Sequence, residues 1–277
     1  MDTYLQTAIE EALAAEALAE PARPLPFILA GPIVRRAEPD GVWIWFACSR
    51  EITSCTPRVT VYDSSGRVND TLANDNGWYP LVPKPDLRVA RLGERLWVAM
   101  VKAQPRSRPF PRGWFYGYEL TIGSGSFSTT LAGQKLDLAY APFRLATFVL
   151  GLDAQRLVHG SCRRPGAPGP DAYPAFDAWL NTPQRDPMFA DGRTYRPIAD
   201  ATRRPAALIL TGDQIYADDV ALPLFRAVQR LARDVFGYVE QLPTRDGRGM
   251  VSADTYLPPY VSVPPASRGC PSDGASG

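Results

Sequence analysis

The 277-residue chain has a single histidine, His159. One imidazole rules out a centre built on several histidine ligands. Cysteines are also few: Cys48, Cys55, Cys162 and Cys270. None forms a CxxC pair, which argues against structural zinc, and four thiols in a chain this long do not make a disulfide framework. A Cys48–Cys55 bridge across a hairpin and two free thiols are both compatible with the spacing. Charge of one sign is missing too. Thirty basic residues against 29 acidic ones leave a net charge of +1. That balance gives no electrostatic reason to bind nucleic acid or an anionic membrane. No block of like charges appears. No apolar run reaches the roughly 18 residues that a membrane-crossing helix needs. The first 20 residues have neither the basic start of a secretory signal nor the acid-poor composition of a transit peptide, and the first basic residue is Arg23. A cytoplasmic location is the expectation. GxGxxG and GxxxxGK[ST] runs are absent, which weakens any nucleotide-binding reading.

What is present is an ordinary globular composition, 45% apolar, in a length that allows one or two domains. Four segments are expected. Residues 1–26 hold an N-terminal helix over Thr3–Glu20, with Leu5, Ile9, Leu13 and Ala17 in one stripe and prolines after it. Residues 27–144 read as an antiparallel β-sandwich. Its strand signals are Val42–Ala47, Arg58–Tyr62, Arg95–Val101 and Trp114–Thr121, separated by turn clusters such as Asp75-Asn76-Gly77. Residues 145–256 read as an α/β unit. Leu145–Leu150 and Gln155–Ser161 are strand candidates, Asp171–Leu180 a helix with Asp171 as N-cap, Leu208–Leu210 a buried strand, and Leu222–Val239 a helix. Strand, helix, strand, helix makes a βαβα unit with parallel strands. Residues 257–277 are mostly Pro, Ser, Gly and Val and read as a disordered tail. The fold class expected is therefore α+β: a β-sandwich followed by an incomplete α/β domain.

Chemistry concentrates in Leu208-Ile209-Leu210-Thr211-Gly212-Asp213-Gln214-Ile215-Tyr216-Ala217-Asp218-Asp219. An apolar run stops at a glycine, and an aspartate follows it. Asp213 then lies just past the carboxyl end of a strand, where open α/β sheets bind ligands. Carboxylate and phenolate oxygens are hard donors that suit divalent or trivalent cations. A second strand end, Leu157-Val158-His159-Gly160-Ser161, leads to Cys162. If the two strands are parallel neighbours, Cys162 and Asp213 share one edge of the sheet, and a cation there would lower the pKa of the thiol. Competing readings stand beside these. Asp213 is also a first-turn acid favoured by a helix dipole, Tyr216 a side chain lying over a helical turn, and Cys162 a small buried hydrophobe. Asp218 and Asp219 suit helix capping. Arg163 and Arg164 suit a bidentate phosphate contact, or sit idle in an exposed loop. His159 is expected to point away from the Cys162 environment or into the core, rather than to serve as a ligand or general acid.

Gly212-Asp213-Gln214-Ile215-Tyr216-Ala217-Asp218-Asp219 resembles the signature of alkaline phosphatase D-like (PhoD-like) metallophosphatases. His159-Gly160-Ser161-Cys162-Arg163-Arg164-Pro165 is similar to that family's first-strand motif. Leu29–Arg36 with Val42-Trp43-Ile44-Trp45 looks like the start of its N-terminal β domain. The resemblance extends from about residue 27 to about residue 243. It implies hydrolysis of a phosphoester substrate with iron and calcium as cofactors. Asp213 would bridge two metal ions, Tyr216 would be a phenolate ligand to ferric iron, and Cys162 would ligate where other metallophosphatases carry an acid. A two-metal site holds its ions about 4 Å apart and activates a water between them. The family draws its remaining ligands from later Asn, His and Asp motifs. After Asp219, the acids before the tail are Asp234, Glu240, Asp246 and Asp254, and no Gly-Asn-His run follows. The expectation is a truncated or interrupted phosphatase, weakly active or inactive. The alternative is a non-catalytic β-sandwich binding or structural protein with a relic metal site.

Overall fold

The computed structural model describes residues 24–63, 65–73, 76–140, 142–151, 156–163, 171–181, 204–216, 222–239, 241–243 and 249–252. The expected helix over 3–20, the tail over 257–277, and Arg164, Asp218 and Asp219 lie outside the described residues. The chain is a β-rich α+β protein. It divides into two compact units. One spans Leu25–Ile215, and the other contains the described residues from Tyr216 onward.

The first unit is built on two four-stranded sheets. β1 (Ile28–Glu38), β2 (Gly41–Cys48), β5 (Leu96–Ala103) and β4 (Asp86–Gly93) form an antiparallel sheet in the order β1-β2-β5-β4. In the other sheet, β6 (Trp114–Ser124) is central. It pairs with β3 (Ser54–Tyr62) along one edge. Its other edge pairs with β7 (Phe127–Thr130) near its end and β8 (Ala146–Leu150) near its start. The short helix α1 (Asp70–Ala73) follows β3.

The core explains the strand sequences. Val42, Ile44, Phe46 and Cys48 alternate along β2 and are fully buried, as the two-residue period of a strand requires. Val59 and Val61 of β3, Val101 of β5 and Leu120 and Ile122 of β6 complete the same cluster. Each such side chain contributes about 1.5–3 kcal/mol on burial. Cys48 and Cys55 are both free and buried in this cluster. Burial pushes each thiol up to about 12. On the outer face of β6, Phe115 packs with Tyr62, Phe143 and Val149 in a smaller second cluster. This sheet therefore runs past residue 144 and takes β8 as one of its strands. The turn before Tyr79 places Asn76 (φ 52°) and Gly77 (φ 83°) in the left-handed region, as an Asn-Gly pair favours.

Beyond the sandwich, β9 (Leu157–Gly160) and β10 (Ala207–Leu210) pair in parallel, with α2 (Ala172–Asn181) between them in sequence. The expectation that Leu208–Leu210 is buried is not met. Leu208, Ile209 and Leu210 are 43%, 42% and 45% exposed. Their apolar character was a sound strand signal. A strand with β9 as its one partner, among the described residues, simply lacks covering layers.

The second unit holds α3 (Leu222–Phe236) and an antiparallel pair of short strands, β11 (Gln241–Pro243) and β12 (Met250–Ser252). Pro223 stands in the first turn of α3, where its missing N–H costs nothing. Leu224, Val228 and Leu231 are exposed and Val235 is buried. Among the described residues no helix is long and apolar enough to cross a membrane.

Candidate functional site

Parallel pairing in register brings the carboxyl ends of β9 and β10 side by side. The ladder continues past both strands: Thr211 N donates to Gly160 O at 3.1 Å, and Cys162 N donates to Gly212 O at 3.1 Å. These bonds set the two turns next to each other. The Cys162 thiol accordingly donates to Asp213 Oδ2 at 3.3 Å, and both side chains are exposed.

Both residues occupy an uncommon backbone region. Cys162 has φ 55° and Asp213 has φ 51°. Asp tolerates this left-handed conformation through its short polar side chain, and Cys does so less readily. Such residues cost on the order of 1–3 kcal/mol each and cluster at functional sites. Gly212, between β10 and Asp213, has φ 142°. A Cβ at Gly212 would meet nothing within 4 Å, so backbone conformation rather than space requires the glycine.

Neighbouring side chains hold the turn. Gln214 Nε2 donates to Gly212 O at 2.6 Å, and the Tyr173 hydroxyl donates to Gln214 Oε1 at 3.3 Å. Tyr173 stands in the first turn of α2, so that helix is tied to the Asp213 turn. Asp171 caps α2, with Oδ1 accepting from Tyr173 N at 3.0 Å. Neither Gln214 nor Tyr173 was singled out from the sequence. Gln214 lies inside the signature, and a glutamine beside a strained turn was the available signal. Tyr173 carried no signal, because its partner is 41 residues away.

The arginine expected near a phosphate is already engaged. Arg163 Nη2 donates to Asp171 Oδ2 at 2.6 Å and Nε donates to the same oxygen at 3.1 Å. Its guanidinium carbon also lies 4.6 Å from the centre of the Tyr173 ring. The hydrogen bond from Arg163 and that from Tyr173 N hold the Asp171 carboxyl below the usual carboxylate range. His159 is exposed rather than in the core, and its Nε2 lies 2.7 Å from Oγ1 of Thr211, just past β10. Tyr216 belongs to the other unit and is half-buried. Among the described residues no group of three His, Cys, Asp or Glu side chains converges on a common point.

The donor set fits a cation in part. Two adjacent ligands on one ion, with bonds of about 2.3 Å to sulfur and about 2.1 Å to oxygen, stand roughly 3.1–3.6 Å apart. The 3.3 Å between Cys162 Sγ and Asp213 Oδ2 falls in that interval. A thiolate with a carboxylate suits iron better than calcium, which prefers oxygen throughout.

Comparison with family models, curated proteins and solved structures finds no match to this chain.

Proposed function

We propose that Cys162 and Asp213 form the nucleus of a cation site, and that the chain is a metal-dependent phosphoester hydrolase of the PhoD-like type with weak activity or none. The single observation that carries this reading is the 3.3 Å approach of a thiol and a carboxylate at two adjoining strand tips. Its weight comes from the backbone: two non-glycine residues in the left-handed region, at the two positions that meet. Iron is the implied partner of the thiolate, and calcium is implied by the resemblance alone. A bound cation here would supply Lewis acidity toward a phosphoryl oxygen. Asp213 and Cys162 would hold it in their deprotonated forms. Gln214 and Tyr173 would keep the Asp213 turn in place. Arg164 is a candidate for a phosphate contact. Weak activity follows from the donor count. Among the described residues two protein donors meet there, well short of the six or more that a calcium ion takes, and two-metal catalysis needs a second complete set.

A second reading has its own support. The largest fully buried side chains all belong to the sandwich region, from Val42 to Ile122. A non-catalytic binding or structural protein with a relic site at Asp213 would show that distribution.

The test is metal loading with ferrous iron and calcium, gel filtration and elemental analysis, with bis-p-nitrophenyl phosphate as substrate. We expect at most one metal per chain, lost in Cys162→Ala and in Asp213→Asn, and slow turnover. Retention of no metal favours the second reading. Two bound metals with fast turnover would overturn the weak-activity part of the proposal.

A further inference from the structure

A cleft of about 410 Å³ opens between β1, β8, α2 and the start of β10, all within the first unit. Its lining includes Arg35, Arg36 and Arg204 together with Phe148, Phe176 and Leu208. The volume is in the range of small-molecule sites, roughly 300–1,000 Å³. Arg204 and Leu208 flank the amino end of β10, whereas Cys162 and Asp213 meet at its carboxyl end. The cleft is thus a different place from the candidate cation site and does not rest on that reading.

Arg204 gives the cleft its chemistry. Its guanidinium donates to the hydroxyl of Thr147, and Nη2 donates to the Thr147 carbonyl at 3.2 Å. The guanidinium carbon lies 5.6 Å from the Tyr140 ring centre and 5.8 Å from that of Phe115. Among the described residues, no carboxylate pairs with it. The nearby Asp177 accepts the Tyr140 hydroxyl at 2.5 Å instead. Arg204 is half-buried, and this partial loss of solvation disfavours the guanidinium charge and pushes the Arg204 pKa down. Guanidinium carries five N–H donors in a rigid fork shaped for carboxylate or phosphate, and Thr147 takes only part of that capacity. Two more arginines stand on β1. Arg36 is paired with Glu38, with Nε to Oε1 at 2.7 Å, and Arg35 is exposed. Among the described residues no acidic one lines the cleft. The rest of the wall is apolar, and it includes Leu208, whose 43% exposure has no purpose in the strand itself.

We propose that this cleft binds a small amphipathic anion: a carboxylate or phosphate head at Arg204, with Arg35 and Arg36 at the mouth, and an apolar body along Phe176 and Leu208. The head would give the half-buried guanidinium a counter-charge, and the body would cover apolar surface now open to water.

Isothermal titration calorimetry on the full chain tests this with four probes: octanoate, octyl phosphate, octanol and inorganic phosphate. We expect at least one of the first two to bind one per chain, with octanol and inorganic phosphate more than tenfold weaker. The tighter of the two anions identifies the head group. Arg204→Met should abolish binding. Arg35→Glu, at an exposed position, should weaken it several-fold with the melting temperature unchanged, which keeps the test valid if Arg204→Met does not fold. Cys162→Ala should bind the anion as the unaltered chain does. Octanol binding as tightly as octanoate, inorganic phosphate binding as tightly as octyl phosphate, no binding by either anion, or indifference to Arg35→Glu would each overturn the proposal.

Discussion

Cys162 and Asp213 show how backbone conformation and side-chain chemistry combine at single residues. Each left-handed residue turns its strand end sharply, and the two turns meet because the ladder continues to Cys162 N and Gly212 O. Next to them, Asp171 caps α2 and receives the Arg163 fork. Its carboxyl is held below the usual range, first by the arginine and then by the Tyr173 amide. A lowered native pKa stabilises the fold above the unfolded value and loses that contribution as pH falls through the native one. We therefore expect Asp171→Asn to melt below the unaltered chain at pH 7. The gap should narrow once pH drops beneath about 3.9, the ordinary aspartate value. Thermal melts across that range check this, and a gap that widens in acid would contradict it. Of these features, the aspartates at a strand end and a helix start were legible in the sequence, because Asp favours both places. The left-handed Cys162 was not, since no local preference puts a cysteine there.

Elements differ in how much burial they carry, and so in what a substitution should do. Ile44 on β2 is fully buried, whereas Leu210 on β10 is 45% exposed. Ile44→Ala should cost about 2–5 kcal/mol in a denaturant titration, as large-to-small core changes do. Leu210→Ala should cost under about 1 kcal/mol, as changes away from a packed core do. Similar costs at the two positions would mean that β10 is covered. The same contrast explains which strands were legible. β2, β3, β5 and β6 have β-branched and aromatic residues with a buried face, so their runs stand out. β4, Asp86–Gly93, was missed. Among the described residues it pairs with β5 alone, its residues are mostly exposed, and its apolar alternation extends no further than Leu87-Arg88-Val89. β8 was visible as an apolar run, but such a run does not say which sheet it joins. Pairing with β6 was decided by distant partners, Trp114–Tyr118.

At the scale of the molecule, the sandwich does not close at residue 144. Phe148 stacks on Tyr116 with ring centres 5.1 Å apart and planes 12° apart, and Val149 joins the cluster of Tyr62, Phe115 and Phe143. A chain of residues 25–151 should melt cooperatively and at a higher temperature than one of residues 25–144, which lacks β8. Calorimetry on the two decides it, and equal melting temperatures would show that β8 is dispensable. Overall class was legible from composition and strand spacing, whereas the pairing of β8 with β6 was not.

The lopsided core has a consequence for how the molecule breathes. Backbone amides of β2 and β6, locked in the middle of their sheets, should trade hydrogen for deuterium only when the whole first unit opens. Those of β9 and β10, in a ribbon of two strands, should trade by small local openings, many times faster and almost independently of denaturant. The end where Cys162 meets Asp213 would then flicker while the sandwich stays shut.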